Sequence, residues 1–231
     1  MGPPTRTLLV LPDADRIEHA LLEAVATESF VDARRFTTFA RLVEACEPAR
    51  HLGRAPCPPL TARLLLTACA AKLGRHPFGA WVSEPGFARQ AQALIAQLKG
   101  QGATPADLQH AAHRLLDAAW KARTLAVALL WDKYEAALAA HALADRDDLL
   151  AAATRVLEKG LPPPLREVSQ IAVRHLYDWP PARLALLKAL ARACENLEDL
   201  REPGAAAGWF LRIVTTTCLR TLRRRRLRRA V

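Results

Sequence analysis

The sequence predicts a mostly α-helical protein in which a large helical insertion interrupts a small α/β core, with a basic helix at the C-terminus. Two segments, residues 7–11 and 168–177, have the apolar or β-branched character of strands. Between them, residues 60–143 carry one helical pattern after another, separated by glycine and proline. The chain has 231 residues, of which 51% are hydrophobic and 24% charged, and this globular composition is long enough to bury a core.

The first elements follow from capping residues and proline. Asp13 is positioned to cap a helix that runs to about residue 26, because apolar residues recur behind it at helical spacing. Residues 30–36 are predicted as a second, edge-like strand. Thr37 or Thr38 then caps a helix that Pro48 ends. A loop containing three prolines follows at 50–59.

The helical block contains one strong start signal. The segment Thr-Pro-Ala-Asp at 104–107 combines a cap, a proline at the first helical position and an acid in the first turn. Further helical stretches are predicted over 60–72, 87–99, 125–138 and 145–157. Tryptophans at helical spacing are expected to pack in the core, and this applies to Trp81, Trp120, Trp131 and Trp179. Packing is also the first expectation for Trp209, with stacking on a base as the alternative. The helix that begins at 104 is predicted to place on one face Leu108, Leu115, Leu116 and Trp120.

The last elements return the chain to the core. The strand at 168–177 is expected to pair with residues 8–11 in one small sheet. A helix over 182–194 is predicted to turn Leu184, Leu187 and Leu190 inward, and a basic helix spans 205–229. This order divides the chain into a core formed by 1–59 and 161–195, a helical insertion of 60–160 and a basic C-terminal helix within 196–231.

No catalytic, cofactor or metal site is predicted. The five cysteines are too widely spaced for a zinc-binding Cys-x-x-Cys pair, and they are typical of reduced thiols. His110 and His113 lack a third ligand nearby in the sequence, and Asp147 and Asp148 stand at a helix start, where capping explains them. No apolar run is long enough to cross a bilayer and no secretory signal is evident, so we expect a cytoplasmic protein with no membrane partner.

The net charge of +10 is concentrated at the C-terminus. Residues 203–231 contain eight arginines and no acid, whereas residues 1–202 hold 25 basic and 23 acidic residues. Arginine that neutralises a phosphate releases counterions, so DNA is the expected partner. The alternative is a solvated run that binds acidic surfaces in general. The expected phosphate contacts are Arg220, Arg223, Arg224, Arg225, Arg226, Arg228 and Arg229.

Five short motifs occur in order across residues 5–194. They are Leu-Val-Leu-Pro at 9–12, Phe-Thr-Thr-Phe-Ala-Arg-Leu at 36–42, Pro-Gly-Phe at 85–87 followed by Leu-Ile-Ala-Gln-Leu-Lys at 94–99, Tyr134 followed by Asp-Arg-Asp-Asp-Leu-Leu at 145–150, and Ile-Ala-Val-Arg-His-Leu-Tyr-Asp-Trp at 171–179. In this order the motifs resemble the N-terminal helicase-like region of the AddB/RexB-like family (PD-(D/E)XK nuclease family), whose members are subunits of bacterial ATP-dependent helicase–nucleases. The resemblance implies a P-loop-helicase-like fold and a role in DNA repair.

The chain departs from that family in the residues that perform chemistry. It has no Gly-x-x-x-x-Gly-Lys-Ser/Thr loop for a triphosphate, no nuclease metal site and no iron–sulfur cysteine cluster. We therefore expect a non-catalytic or truncated relative that associates with DNA. A second possibility is a helical scaffold protein within a larger complex, whose helicase–nuclease partner supplies the chemistry.

The C-terminal segment is similar to a different family. Residues 208–226 resemble the end of region 2 of extracytoplasmic-function sigma factors of the sigma-70 class, although Thr216 stands where that pattern has asparagine. The resemblance implies that Trp209 and Arg212, together with the arginines that follow, contact the promoter −10 strand. The alternative function is therefore that of a sigma-70-like initiation factor fragment, with core RNA polymerase as its partner.

Overall fold

A computed structural model describes residues 6–73, 78, 82–166, 168–176 and 179–195. These residues are mostly helical with a small parallel sheet, which confirms the predicted fold class. The basic helix predicted within 196–231 lies outside them. The helices are α1 (Ala14–Val25), α2 (Phe39–Glu44), α3 (Pro48–Leu52), α4 (Pro59–Ala71), α5 (Phe87–Gly100), α6 (Pro105–His113), α7 (Ala118–Ala140), α8 (Arg146–Leu157) and α9 (Pro181–Glu195). The strands are β1 (Arg6–Leu11), β2 (Phe36–Thr38), β3 (Ala55–Pro56), β4 (Leu143–Ala144) and β5 (Val168–Val173).

The described residues divide into two compact units. The first unit consists of described residues within 6–47, 153–179 and 184–195, and it contains a three-stranded sheet in the order β2–β1–β5. All three strands are parallel, with Leu9 opposite Phe36 and Leu8 opposite Ile171. The predicted pairing of the two distant apolar segments is therefore confirmed. Central-strand residues Leu8 and Val10 are buried, as expected for a strand with a neighbour on each side.

The second unit draws on 48–152 and 180–183 and is built around α4, α5 and α7. Its core consists of buried residues from these three helices: Ala62, Leu66, Cys69, Ala70, Ile95, Leu130, Trp131, Tyr134 and Leu138. Strands β3 and β4 pair in parallel, and the Cys57 N–H donates to the Ala144 carbonyl at 2.7 Å. This pairing holds the chain immediately before α8 against the loop that leads into α4.

The predicted helix caps are confirmed. The side chains of Asp13 and Thr38 accept hydrogen bonds from the backbone at the starts of α1 and α2. Thr104 and Asp107 form a reciprocal capping box at the start of α6, where Pro105 occupies the first turn. Each cap satisfies N–H groups that have no partner inside the helix, so the signal is local and the sequence contains it.

Three element predictions were wrong. Residues 30–36 are not a strand, because Asp32 caps a 3₁₀ turn over Ala33–Arg35 and β2 begins only at Phe36. Pro48 begins α3, since proline at a first helical position lacks an N–H that the helix would leave unpaired anyway. β5 ends at Val173, opposite Val10, and not at residue 177; His175 already has a φ of 61°, which a strand does not allow.

Two predicted helix faces also need correction. The helix that begins at Pro105 ends at His113, and Asp117 starts α7 by accepting from the Trp120 N–H at 2.8 Å. One continuous face with Leu108 and Trp120 therefore does not exist. In α9 the buried residues are Leu186, Ala189, Leu190 and Ala193, whereas Leu184 and Leu187 are only half-buried.

Candidate functional site: a lysine enclosed by three carboxylates

A partly buried cluster of ion pairs surrounds Lys99, in the last turn of α5. Its ammonium donates to Glu135 Oε1 at 2.9 Å, to Asp145 Oδ2 at 2.8 Å and to Asp148 Oδ1 at 2.6 Å. The Lys99 side chain is only 12% exposed, and none of the three carboxylates exceeds 31%. All four residues belong to the second unit, where they join α5, α7 and the start of α8.

The backbone and a tryptophan hold the carboxylates in place. Asp145 Oδ1 accepts from the N–H groups of Asp147 and Asp148 at 3.1 and 2.9 Å, and Asp148 Oδ2 accepts in return from the Asp145 N–H at 3.3 Å. Trp131 Nε1 donates to Glu135 Oε1 at 2.9 Å. Capping therefore does operate at the start of α8, but the principal cap is Asp145, and Asp148 both caps and pairs with Lys99.

The electrostatics keep Lys99 charged. Burial by itself lowers the pKa of an ammonium, but the charges of Asp145, Glu135 and Asp148 outweigh burial and raise the Lys99 pKa above its ordinary value. Burial, followed by the same carboxylates and Cys57, raises the pKa of the Tyr134 hydroxyl. A lysine held protonated in this way is neither a nucleophile nor a base. The cluster consequently acts as an interhelical clamp.

The three carboxylates have spacing that would suit a cation, since their oxygen atoms lie within 4.8 Å of one another. In this protein the Lys99 ammonium lies among them and supplies the positive charge. Sequence reasoning missed the cluster because its members are separated by up to 49 positions. One signal was available: Arg89 and Lys99 are the only charged residues of α5, and Lys99 lies on the side of the helix that faces neighbouring elements.

Asp147 offers a test of the electrostatics next to the clamp. Burial, then the charge of Asp145, raises its pKa to about 6, against opposing effects of Lys99 and Arg146. An acid with a raised folded-state pKa favours folding below its unfolded pKa, and this contribution is lost as the pH rises through about 6. Asp147→Asn is therefore expected to stabilise the protein at pH 7 by about 1–2 kcal/mol and to have little effect at pH 4.

Denaturant unfolding of the wild type and Asp147→Asn across this pH range measures the difference directly. The Asp132→Asn variant is the matched control, because Asp132 is an exposed carboxylate on α7. A stability gain for Asp147→Asn that is the same at pH 4 and pH 7 would show that the carboxylate titrates normally in the folded protein.

The site residues predicted from the sequence, Trp209, Arg212, Arg220, Arg223, Arg224, Arg225, Arg226, Arg228 and Arg229, lie outside the described residues. Three tryptophan predictions are tested by the structure, and Trp81 lies outside the described residues. Trp131 is buried in the core of the second unit, as expected, and Trp179 is half-buried, whereas Trp120 is 61% exposed and does not pack in the core.

No protein-family model matches the chain, and no curated protein matches it. Among the described residues, no helix combines the length and apolar character needed to cross a membrane.

Proposed function

We propose that this protein binds DNA through its arginine-rich C-terminal segment and performs no chemistry on the DNA. We also propose that the rest of the chain is a helicase-like module related to a DNA-repair helicase–nuclease subunit. The observation that carries the proposal is the charge distribution: eight arginines and no acid in residues 203–231, after a segment that is nearly neutral. A local excess of arginine over acid is the electrostatic requirement for phosphate contact without sequence choice.

The fold is compatible with the helicase-like part of the proposal. Strands β1 and β5 pair in a small parallel sheet and, in the chain, precede and follow the helical block, and this order supports the helicase-like part of the proposal. The described cysteines, Cys46, Cys57, Cys69 and Cys194, form no disulfide with one another, and reduced cysteines support a cytoplasmic location. Fold-level likeness does not carry activity, so the proposed role rests on the arginines.

The direct test replaces Arg223, Arg224, Arg225 and Arg226 by glutamine in the full chain. Binding to labelled single- and double-stranded DNA, measured by fluorescence anisotropy at about 50 mM salt, is expected to weaken about 100-fold or more, because four phosphate contacts and their released counterions are lost. The matched control makes the same charge change at four exposed arginines elsewhere: Arg41, Arg89, Arg155 and Arg192. Equal weakening by the two sets, or no weakening by the first, would refute the proposal.

The sigma-factor alternative is favoured by one observation, the match of residues 208–226 to the end of region 2. It requires core RNA polymerase as partner, and Trp209 and Arg212 would then contact an unpaired promoter strand. Affinity purification of the tagged full chain from cells tests both the sigma-factor alternative and the alternative of a scaffold within a helicase–nuclease complex. Recovery of polymerase subunits supports the sigma-factor function, whereas a helicase–nuclease protein in the same eluate supports the scaffold function.

A further inference from the structure

An exposed hydrophobic corner lies between α6 and α7, in the second unit. Leu116 is fully exposed, Leu115 is 40% exposed and Trp120 is 61% exposed. Exposing a tryptophan ring to water costs more free energy than exposing almost any other side chain, because the ring has a large apolar area. Trp120 is therefore accessible to a partner, together with the neighbouring leucines.

One cation lies over this ring, and two others are near it in the sequence. The Arg123 guanidinium carbon lies 5.6 Å from the centre of the Trp120 ring, which is a cation–π distance. Arg114 and Lys121 are close in the chain on either side of Trp120, and Arg114 is exposed. Asp117 is the only acid in residues 114–124, and its carboxylate already accepts from the Trp120 N–H at the start of α7. The corner thus combines an accessible aromatic ring with a local excess of positive charge.

We propose that this corner is a second nucleic-acid contact, in which Trp120 stacks on a base of a single strand and Arg114, Lys121 and Arg123 contact its phosphates. The proposal rests on the proposed function, since the partner is again nucleic acid, but it is independent of the C-terminal arginines. An accessible aromatic ring beside arginine is the pairing by which proteins hold single strands without reading their sequence. Bases inside a duplex have both faces covered, so this contact selects single strands.

Charge favours a nucleic acid over a protein as the occupant. A protein partner would be selected by the apolar area of Leu116 and Trp120, and it would need acidic groups to face three cations. A nucleic-acid strand supplies a flat apolar base and a phosphate at every residue, so it meets both requirements together.

The test uses the full chain in two backgrounds, the natural C-terminus and the variant with Arg223, Arg224, Arg225 and Arg226 replaced by glutamine. Trp120→Ala is expected to weaken binding of an oligothymidine of about 20 nucleotides about tenfold in both backgrounds, because one base loses its stacking partner. Binding to a duplex of the same length should change less than about twofold, since a duplex offers no free base face. Trp120→Phe should restore most of the single-strand affinity.

Phe30→Ala is the matched control, because Phe30 is an aromatic residue that is 82% exposed and whose nearby charges, Glu28, Asp32, Arg34 and Arg35, balance. Circular dichroism and thermal unfolding verify that each variant folds. Unchanged single-strand affinity in Trp120→Ala, or an equal loss for single strands and duplex, overturns this inference. Loss of a co-purifying protein in Trp120→Ala, with DNA affinity unchanged, also overturns it and identifies the corner as a protein contact.

The two proposals fail in different ways. If the C-terminal glutamine variant binds DNA weakly and Trp120→Ala binds it normally, the proposed function survives and this corner has no part in it. If neither variant alters binding, both proposals are refuted.

Discussion

Replacing Lys99 by methionine is expected to lower the free energy of unfolding by about 3–5 kcal/mol, the usual cost of breaking a buried ion pair. Methionine preserves the length and apolar part of the side chain but removes the charge. The carboxylates of Glu135, Asp145 and Asp148 would then face one another in a partly buried space without a cation. Chemical denaturation at pH 7 measures the loss.

Two comparisons isolate the electrostatic cause of that loss. Lys133→Met removes an exposed lysine from α7 and should change stability by less than about 0.5 kcal/mol. Adding Asp148→Asn to Lys99→Met should recover part of the loss, because one of the repelling charges is gone and the two sites couple. Strictly additive effects of the two substitutions would mean that Lys99 and Asp148 do not interact in solution.

The second large effect concerns salt. Between about 50 and 200 mM salt, the affinity of the full chain for duplex DNA is expected to fall about 4,000-fold, as for proteins that neutralise six or more phosphates. Seven arginines within residues 220–229 provide that number of contacts. Each contact releases condensed counterions, and this entropic gain disappears as the bulk salt concentration rises.

The slope of the logarithm of affinity against the logarithm of salt concentration measures the number of phosphate contacts. A logarithmic plot should have a slope of about −6 for the full chain, and the variant with four C-terminal glutamines should be shallower by about 3 to 4. The control with Arg41, Arg89, Arg155 and Arg192 replaced should run parallel to the natural protein. A slope shallower than about −2 for the natural chain would contradict binding through the arginine cluster.

Local signals in the sequence predicted much of the fold. Asp13, Thr38 and Thr104 mark true helix starts, because a capping side chain reaches N–H groups only two or three residues away. The pairing of β1 with β5 was also predicted, since two isolated apolar segments in a helical chain have few other ways to satisfy their backbone groups.

Features that depend on distant neighbours were not predictable in the same way. Lys99 and Asp148 are 49 positions apart and meet only because α5, α7 and the start of α8 converge. Trp120 is 61% exposed in the first turn of α7, whereas its apolar character alone predicted that it would be buried. The sequence by itself determined the helical class, most helix starts, the pairing of β1 with β5 and the basic C-terminus. Only the tertiary structure decided which charges are paired and which aromatic rings are exposed, because burial and ion pairing are set by residues far apart in the chain, whereas capping and periodicity act within a few positions.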